Sequence, residues 1–521
     1  MPKHDDPADL NSALNLLPQR FHGPGGVAAV LSDGHVVASR AWGYASLEDR
    51  GAMGQQTRLP ICSISKQFTC GVLLAAGGEP EAFDAQIPAF LPSLLDPMPT
   101  TRQLCHNQSG LRDYWAMTVL DGAKAEQTFH REDALPMISS VRSGHFPPGS
   151  GYSYCNCNYR ILSEMIETMA GETLEYLYRR HIWGPAGMNS AVLTSDTRHP
   201  ADGVVGYEGN DLTGFFPADN GIYWIGDAGI SASLEDMIAY ESWIDRTRNE
   251  VDSLYGRLSE RPFFADGTPA SYGFGLVHEQ ISGVDVTGHG GALRGFRAHR
   301  MHSREHRLSV IVMFNHEASA HDAAEMLFRS ALGITPKAAR LPSRDWDGQW
   351  LCPETGLLAR IETKDGEPRL HFATSPEDMR EEATNRLVSE DVVLEQEGDA
   401  LRMRRLRDNL TTLMQPVARV KTADETEIAG SYLSTETAAT MTLEARDGAI
   451  FAIFSGRFGS GRPEPVYPAA PDIWLIRTRR SMDAPAPGDW TLRIKRDTSG
   501  RISGAELGCW LARKLGYEKQ R

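Results

Sequence analysis

The sequence predicts an α/β (α+β) domain, with an antiparallel sheet and a helical subdomain, followed by two antiparallel β domains. Three observations support this fold class. The chain of 521 residues corresponds to about three domains at roughly 150 residues each. Before residue 335, helical patterns lie between early and late strand patterns, which is typical of a sheet assembled from distant parts of a chain. After that point helical periodicity is scarce and short strand patterns recur.

The region before residue 335 begins with a predicted β-hairpin. Its strands run over 27–31 and 36–40, and Asp33-Gly34 between them is a strong turn signal. Ser233 and Asp236 supply capping groups at the start of a later helix. Helices are predicted at about 63–76, 158–180 and 234–247, and strands at 272–277, 284–289 and 308–314.

The C-terminal region contains an internal repeat. A shift of 82 residues aligns Gly348-Gln-Trp-Leu351 with Gly430-Ser-Tyr-Leu433, and Asp365-Gly366 with Asp447-Gly448, without a gap. In both copies the Asp-Gly turn separates short alternating runs. The repeat predicts two related antiparallel domains, near 340–418 and 425–521, after a first domain over 1–335. Chance similarity is the alternative, because Asp-Gly hairpins are common.

Composition and charge exclude several classes of partner. Hydrophobic residues make up 41% of the chain and charged residues 23%, as in soluble globular proteins. The 68 acidic residues exceed the 53 basic ones, which gives a formal charge of −15. This charge repels phosphate groups at long range, so neither nucleic acid nor a membrane is a predicted partner. No stretch approaches the roughly twenty apolar residues of a membrane span.

Cysteine usage and the N-terminus predict a cytoplasmic protein. The seven cysteines are odd in number and scattered, which favours a reducing compartment over a disulfide framework. Cys155 and Cys157 lie close together, but no second Cys/His cluster stands at zinc spacing, so we predict structural thiols and no metal site. The polar N-terminus lacks the apolar core of a secretion signal.

A candidate nucleophile and base stand at the start of the 63–76 helix. Ser63 and Lys66 are three residues apart, so they share one helix face. The helix end can offer backbone N–H groups to a developing oxyanion, and burial can lower the lysine pKa until the neutral amine accepts the serine proton. The alternative is a capped surface helix with a solvated lysine.

Two further segments carry complementary groups. In Tyr154-Cys-Asn156 the phenol can carry a proton to a leaving group, and the amide can hold a substrate carbonyl or order the lysine. In His289-Gly290-Gly291 the glycines allow another backbone to approach closely. Taken singly, a core tyrosine and a glycine-marked strand bend are the alternatives.

Together these motifs resemble those of the penicillin-recognising serine hydrolases, which include DD-peptidases, serine β-lactamases, esterases and D-aminopeptidases. Ser63-x-x-Lys66 matches the first family motif and Tyr154-x-Asn156 the second, while His289-Gly290-Gly291 stands where most members have Lys-Thr-Gly. The resemblance covers about residues 20–332 and implies a β-lactamase/DD-peptidase-like fold for the catalytic domain. Further landmarks occur in family order at 106–111, 182–188, 228–233 and 272–276.

The histidine of the third motif is a departure from most of the family. A lysine there would pair with a substrate carboxylate through a charge-assisted bond of typically ~1.5–3 kcal/mol, whereas histidine is largely neutral at pH 7. Members with His-x-Gly include esterases and the D-stereospecific aminopeptidases, which carry two appended β-barrel domains. The whole chain resembles these aminopeptidases, including a loop at 479–488 that reaches toward the active site in them.

The resemblance implies release of an N-terminal D-amino acid, such as D-alanine, glycine or D-serine, from small peptides, amino-acid amides and esters through an acyl-serine. Ser63 would be the nucleophile, Lys66 and Tyr154 would relay the proton, and His289 would orient or assist Tyr154. The backbone N–H groups of Ser63 and Ala292 would stabilise the oxyanion. No metal or organic cofactor is needed.

The implied substrate-binding residues are Asn156, Gly290, Gly291, Ala292 and Asp483. Asp483 would face the substrate ammonium from a loop restricted by Pro485 and Pro487, with an ordinary solvated connection as the alternative. A homodimer is also suggested by resemblance. The rival functions are an esterase or amide hydrolase of β-lactamase type without D-selectivity, and a penicillin-binding sensor.

Overall fold

The computed structural model describes residues 9–334, 346–420, 425–478, 480–483 and 487–521. Its N-terminal part is built on an eight-stranded antiparallel sheet in the order β3-β2-β1-β8-β7-β6-β5-β4. Because β1 pairs with β8, the early and late segments of this part meet inside one sheet. The strands are β1 Gly25–Ser32, β2 His35–Ser46, β3 Gly51–Ala52, β4 Tyr272–Gly273, β5 Leu276–Ile281, β6 Val284–Leu293, β7 Phe296–Ser303 and β8 Leu308–Phe314.

Helices cover both faces of this sheet. They are α1 Leu10–Arg20, α2 Ser65–Gly77, α3 Ile87–Phe90, α4 Thr101–Cys105, α5 Tyr114–Leu120, α6 Arg131–Ser139, α7 Asn156–Ala170, α8 Leu174–Tyr178, α9 Gly184–Ala186, α10 Leu234–Thr247, α11 Leu254–Leu258 and α12 Ala320–Leu332. Helices α1 and α12 bury their apolar sides on one face, and α2 and α10 lie in the larger core on the other. None of the helices in the described ranges is long and apolar enough to cross a membrane.

Shorter elements complete the region between the sheet segments. One small sheet has three strands, Leu59–Pro60, Val192–Leu193 and Ile230–Ala232. A second small sheet has two strands, Tyr207–Asn210 and Gly214–Pro217. Short 3₁₀ segments cover Cys62–Ile64, Pro80–Gln86 and Ala201–Gly203, and a π turn covers Arg179–Trp183.

Several predicted elements are confirmed. Asp33 and Gly34 connect β1 to β2 with φ angles of 53° and 77°, the left-handed pair that a tight hairpin requires. Helix α10 covers the predicted 234–247, and Ser233 and Asp236 form its capping box. Strand β8 likewise has the predicted bounds.

Two predicted elements are wrong in their continuity. The single helix over 158–180 is interrupted, because α7 ends at Gly171 in the left-handed conformation (φ 66°) and Thr173 caps a new helix, α8, through its side chain. The strand predicted over 272–277 is divided into β4 and β5. Phe274 and Gly275 between them have consecutive φ angles of 48° and 77°, far from the extended backbone of a regular strand.

The second sheet has nine antiparallel strands and is nearly closed. Its two edge strands, Glu377–Asp378 and Arg380–Ala383, are consecutive in the chain. Its core includes Trp346, Leu370 and Met403. The strands are Gly348–Leu351, Leu358–Lys364, Glu367–His371, Glu377–Asp378, Arg380–Ala383, Arg386–Val388, Val392–Glu397, Ala400–Arg405 and Leu410–Pro416.

The third sheet closes into a barrel through the pairing of Thr440–Arg446 with Ala449–Gly456. The Asp-Gly turns of the repeat occupy equivalent hairpins in the two sheets, with φ of 55° and 77° in one and 53° and 77° in the other. Helix α13 covers Glu425–Ile428, and the strands are Gly430–Ser434, Thr440–Arg446, Ala449–Gly456, Gly459–Ser460, Glu464–Ala470, Ile473–Ile476, Trp490–Arg496, Ile502–Cys509 and Ala512–Lys519.

These sheets agree with the predicted fold class of an α/β domain followed by two antiparallel barrels. The division into 1–335, 340–418 and 425–521 stays a prediction, since parts of both proposed junctions lie outside the described residues. All seven cysteines are buried free thiols.

Candidate active site

Ser63 lies in the 3₁₀ turn Cys62–Ile64 directly before α2. The turn is fixed on two sides. Ile61 donates its N–H to Ile230 O at 3.0 Å, and β6 passes so closely that a Cβ on Gly291 would lie 2.2 Å from Ile61 O. Cys62 has φ 50°, a left-handed conformation that is costly for a residue with a side chain. The surrounding packing thus holds a strained turn beneath Ser63.

Lys66 is fully buried and points its amine at Ser63. Its Nζ lies 3.0 Å from Ser63 Oγ, and it also donates to Asn156 Oδ1 at 2.8 Å and to Asp227 O at 2.6 Å. Burial lowers the pKa of Lys66 to about 8, while the nearby carboxylates of Asp227 and Asp113 favour the charged form. The neutral amine is therefore accessible close to neutral pH.

Asn156 connects this lysine to a buried carboxylate. Both its backbone N–H and its side-chain amide donate to Asp113 Oδ2, at 2.6 Å and 2.8 Å. Asp113 in turn caps α5 by accepting the N–H of Trp115. Burial raises the pKa of Asp113, and the hydrogen bonds from Asn156 oppose that rise. The amide orientation of Asn156 is thereby fixed, with Oδ1 left to accept from Lys66.

Tyr154 completes the group of polar atoms around Ser63. Its phenol interacts with the Ser63 side chain, and burial holds the pKa of Tyr154 well above its usual value. Lys66 Nζ lies 4.8 Å from the centre of the Tyr154 ring. The phenol is therefore protonated at neutral pH and adjoins both the hydroxyl and the amine.

His289 lies beside this group and bonds to a different tyrosine. Its ring centre is 6.0 Å from that of Tyr154, but its Nε2 is 3.0 Å from Tyr272 Oη. Its Nδ1 contacts the carbonyl of Gly290. Burial, together with the charge of Lys66, lowers the pKa of His289 to about 3. Since the carbonyl only accepts, neutral His289 carries its proton on Nδ1 and accepts from Tyr272 at Nε2.

The three residues after His289 differ in orientation. Gly291 faces the Ser63 turn, whereas a Cβ on Gly290 would lie 3.2 Å from the His299 ring, on the opposite face of the sheet. Ala292 pairs with Arg297 in register. Gly290 thus reaches this site only through its backbone carbonyl.

Asp483 lies in the connection between two strands of the third sheet, Ile473–Ile476 and Trp490–Arg496. It contacts the N-terminal eight-stranded sheet. Its carbonyl accepts the N–H of Arg294 at 3.0 Å, and its Oδ1 accepts from Ser481 at 2.8 Å. The adjoining Met482 is buried in the catalytic core. Burial, followed by the charge of Asp113, raises the pKa of Asp483 to about 7. Within the predicted loop 479–488, Pro487 is buried and Pro485 lies outside the described residues.

Comparisons with known proteins show the family to which the chain belongs. The protein-family model described as "Beta-lactamase" matches residues 14–333 of this chain. The family model described as "D-aminopeptidase, domain B" matches residues 339–518. D-aminopeptidase from Cereibacter sphaeroides is 58% identical over 511 residues, covering 98% of each chain. D-aminopeptidase from Brucella melitensis is 47% identical over 522 residues, covering both chains completely. The chain belongs to the D-aminopeptidase family.

Two solved structures share the fold of this chain, although their sequences are less than 20% identical to it. The octameric penicillin-binding protein homologue from Pyrococcus abyssi has a TM-score of 0.55 and 19% identity, covering 78% of this chain and 99% of that one. The D-amino acid amidase from Ochrobactrum anthropi SV3 has a TM-score of 0.51 and 16% identity, covering 62% and 99%. The predicted β-lactamase/DD-peptidase-like fold is confirmed.

Sequence reasoning missed three residues that hold the site together. Asp113 orders Asn156, Asp227 accepts from Lys66 through its backbone carbonyl, and Tyr272 bonds to His289. Asp113 carried a local signal, as a capping residue before a helix. Tyr272 belongs to the 272–276 segment that matches a family motif, but nothing in that motif indicates a hydrogen bond to His289. The backbone carbonyl of Asp227 could not be predicted, because every residue has such a group. In the described ranges, three metal-ligating side chains come together only on the opposite face of the sheet.

Proposed function

We propose that this enzyme of the D-aminopeptidase family removes an N-terminal D-amino acid from peptides, amides and esters through a covalent ester on Ser63. The observation that carries the proposal is the 3.0 Å contact between Ser63 Oγ and the buried amine of Lys66. A serine hydroxyl is a weak nucleophile until an adjacent base takes its proton. The lowered pKa of Lys66, about 8, makes that amine an effective base.

Acylation begins with attack of Ser63 Oγ on the substrate carbonyl carbon. The serine proton passes to Lys66, and the carbonyl oxygen becomes an oxyanion held by the N–H groups of Ser63 and Ala292. Collapse of the tetrahedral intermediate breaks the C–N bond. Tyr154 gives its phenolic proton to the departing amine and recovers one from Lys66, so the proton balance closes. Loss of one oxyanion donor typically costs ~2.7–4 kcal/mol.

Deacylation repeats these steps with water as the nucleophile. Tyr154 and Lys66 take the water proton, the oxyanion forms again, and the bond to Ser63 Oγ breaks as that oxygen is reprotonated. A free amino acid leaves. His289 positions Tyr154 by packing beside it while held by Tyr272, and Asn156 keeps the Lys66 amine directed at Ser63.

Selection for a free amino group is assigned to Asp483. At neutral pH its buried carboxyl, with a pKa raised to about 7, is partly ionised, and a substrate ammonium beside it would favour the ionised form. The pocket would take a small side chain, as in D-alanine, glycine or D-serine. This restriction and the stereochemical preference rest on the relationship to D-aminopeptidases.

A substrate panel tests the proposal directly. D-alanine p-nitroanilide should turn over much faster than its L-enantiomer and than a short-chain p-nitrophenyl ester, and mass spectrometry should detect an alanyl adduct on Ser63. Equal rates for the two enantiomers would favour a non-selective amide hydrolase. A stable β-lactam adduct without turnover of any amide would favour a penicillin-binding sensor.

Ser63→Ala should abolish turnover while the protein stays folded. The matched control is Ser153→Ala, because the buried hydroxyl of Ser153 has no hydrogen-bond partner among the described residues and adjoins Tyr154 in sequence. Substantial turnover by Ser63→Ala would remove Ser63 as the nucleophile.

We also propose a cytoplasmic homodimer. The seven buried free thiols support a reducing compartment, and the dimer rests on family resemblance. Light scattering of the full chain tests the oligomeric state, and fractionation of the native cells tests the location.

A further inference from the structure

A second cluster of polar side chains lies on the face of the sheet turned away from Ser63. Glu279 on β5, His299 on β7 and His321 at the start of α12 each place one ligating atom within 4.8 Å of the other two. His299 pairs with Gly290, whereas His289 pairs with Arg300. Since successive strand residues face opposite sides, the sheet separates this cluster from the candidate active site.

His299 is the most informative member of the cluster. It is 7% exposed, and its Nε2 has no hydrogen-bond partner within the part of the chain that the structure describes. Its ring centre is 4.7 Å from that of His321, with the two rings nearly perpendicular. A buried polar atom without a partner loses its hydration without compensation. Something else must satisfy this nitrogen.

The surroundings of His321 favour positive charge. Its Nε2 is 3.6 Å from Glu279 Oε2, and its Nδ1 is 3.5 Å from Asp322 Oδ1. Glu390, from the second sheet region, is close enough to interact electrostatically with Glu279 and Glu325. The cluster therefore favours a bound cation.

A protonated His321 satisfies only part of this arrangement. The resulting ion pair uses Glu279 and leaves Nε2 of His299 without a partner. A divalent metal ion bound in place of that proton would engage both imidazoles and the carboxylate. Two imidazoles and one carboxylate form a donor set that suits zinc and similar ions.

We propose that Glu279, His299 and His321 bind a divalent transition-metal ion of the zinc class, which ties β5 and β7 to α12. Ligand atoms around tetrahedral zinc lie roughly 3.3 Å apart, so separations of up to 4.8 Å in the cluster have to shorten by as much as about 1.5 Å. His321, with 40% of its side chain exposed, can rotate to do so and leaves a path for the ion to enter. The site is structural, because the sheet separates it from Ser63.

Zinc titration of the tag-free full chain, first stripped with EDTA, tests this site. We expect about one zinc per chain and a higher Tm with zinc than with EDTA. His299→Ala, His321→Gln and Glu279→Gln should each weaken zinc binding by more than about 100-fold, since even loss of an outer-shell partner costs about 10- to 100-fold. The zinc-dependent rise in Tm should disappear in the same variants.

His199→Gln is the matched control, because His199 is an exposed histidine that also contacts a carboxylate, Asp196, at 3.3 Å. It should bind zinc as the unmodified chain does. The cysteines are buried and do not compete in the folded protein. If His299→Ala does not fold, His321→Gln and Glu279→Gln decide the matter from the more accessible side of the cluster.

Either of two results overturns the proposal. One is absence of zinc binding by the unmodified chain at micromolar zinc, which would leave only a His321–Glu279 ion pair. The other is unchanged affinity in His321→Gln and Glu279→Gln. Acylation of Ser63 is measured separately by mass, so failure of the zinc site and failure of the hydrolase mechanism are distinguishable.

Discussion

Replacing Gly291 with alanine tests how far catalysis depends on the close approach of β6 to the Ser63 turn. The added Cβ would lie 2.2 Å from Ile61 O and 3.1 Å from Cys62 Cβ. Ordinary contact begins at 3.4 Å, so strand and turn have to separate by at least about 1 Å in a closely packed interior. The nearest obstacle is backbone, which cannot rotate away as a side chain can.

That separation acts on the proposed oxyanion site from both sides. Ser63 is part of the turn and moves with it, and Ala292 is the next residue after position 291 and moves with the strand. A misplacement of ~1 Å can cost about 10²-fold in rate, and loss of one oxyanion donor costs about 10²–10³-fold in kcat. We therefore expect kcat of Gly291→Ala to fall by about 100-fold or more. Overpacking should also lower the free energy of unfolding by about 1–3 kcal/mol.

The assay is steady-state hydrolysis of D-alanine p-nitroanilide, with circular dichroism and Tm as checks on folding. Gly51→Ala is the matched control, because a Cβ on Gly51 in β3 meets no atom within 4 Å, and its kcat should be unchanged. A folded Gly291→Ala enzyme with the kcat of the unmodified chain would refute the reasoning.

Three further variants and one pH profile probe individual charges. Because the pKa of Lys66 is about 8, kcat at saturating substrate should rise about tenfold per pH unit below that value and level off above it. Lys66→Arg should be inactive throughout, since a guanidinium stays protonated, and activity of that variant would exclude an amine base. Asp483→Asn should raise KM for free-amine substrates by about 10- to 100-fold, because a hydrogen bond to a charged group is lost. KM for N-acetylated analogues should change little, and an equal rise in KM for both kinds of substrate would contradict ammonium recognition. His289→Lys should shift preference toward substrates with a carboxylate near the scissile bond, and an unchanged substrate profile would count against the interpretation of the third motif.

The parts of the site that could be predicted are those with local geometry. Ser63 and Lys66 are separated by one helical turn, so sequence spacing alone placed them on one face. Tyr154 and His289 come from remote segments, and only motif resemblance could associate them with Ser63. The hydrogen-bond partner of His289 was not predicted. It is Tyr272, and no spacing rule connects two strands whose register is set by the folded sheet.

The error in the 158–180 helix has a different origin. The apolar periodicity continues across the break and favours one long helix, whereas the local stop signals favour two helices. Gly171 supplies the left-handed residue that ends α7, and Thr173 supplies the side chain that begins α8. Both signals are legible in the sequence. Periodicity describes which side of a segment is buried, whereas caps decide where the backbone turns.

The C-terminal barrel takes part in the support of Lys66. Leu511 O accepts the N–H of Asp113 at 3.0 Å, and Glu436 pairs with the buried guanidinium of Arg112 at 2.9 Å. These contacts hold the segment whose carboxylate fixes the Asn156 amide, and that amide in turn accepts from Lys66. A change in the barrel can therefore alter the environment of the amine without touching substrate. The barrel thus has a structural connection to the proposed chemistry at Ser63, although none of its residues in this chain of contacts lies beside the hydroxyl.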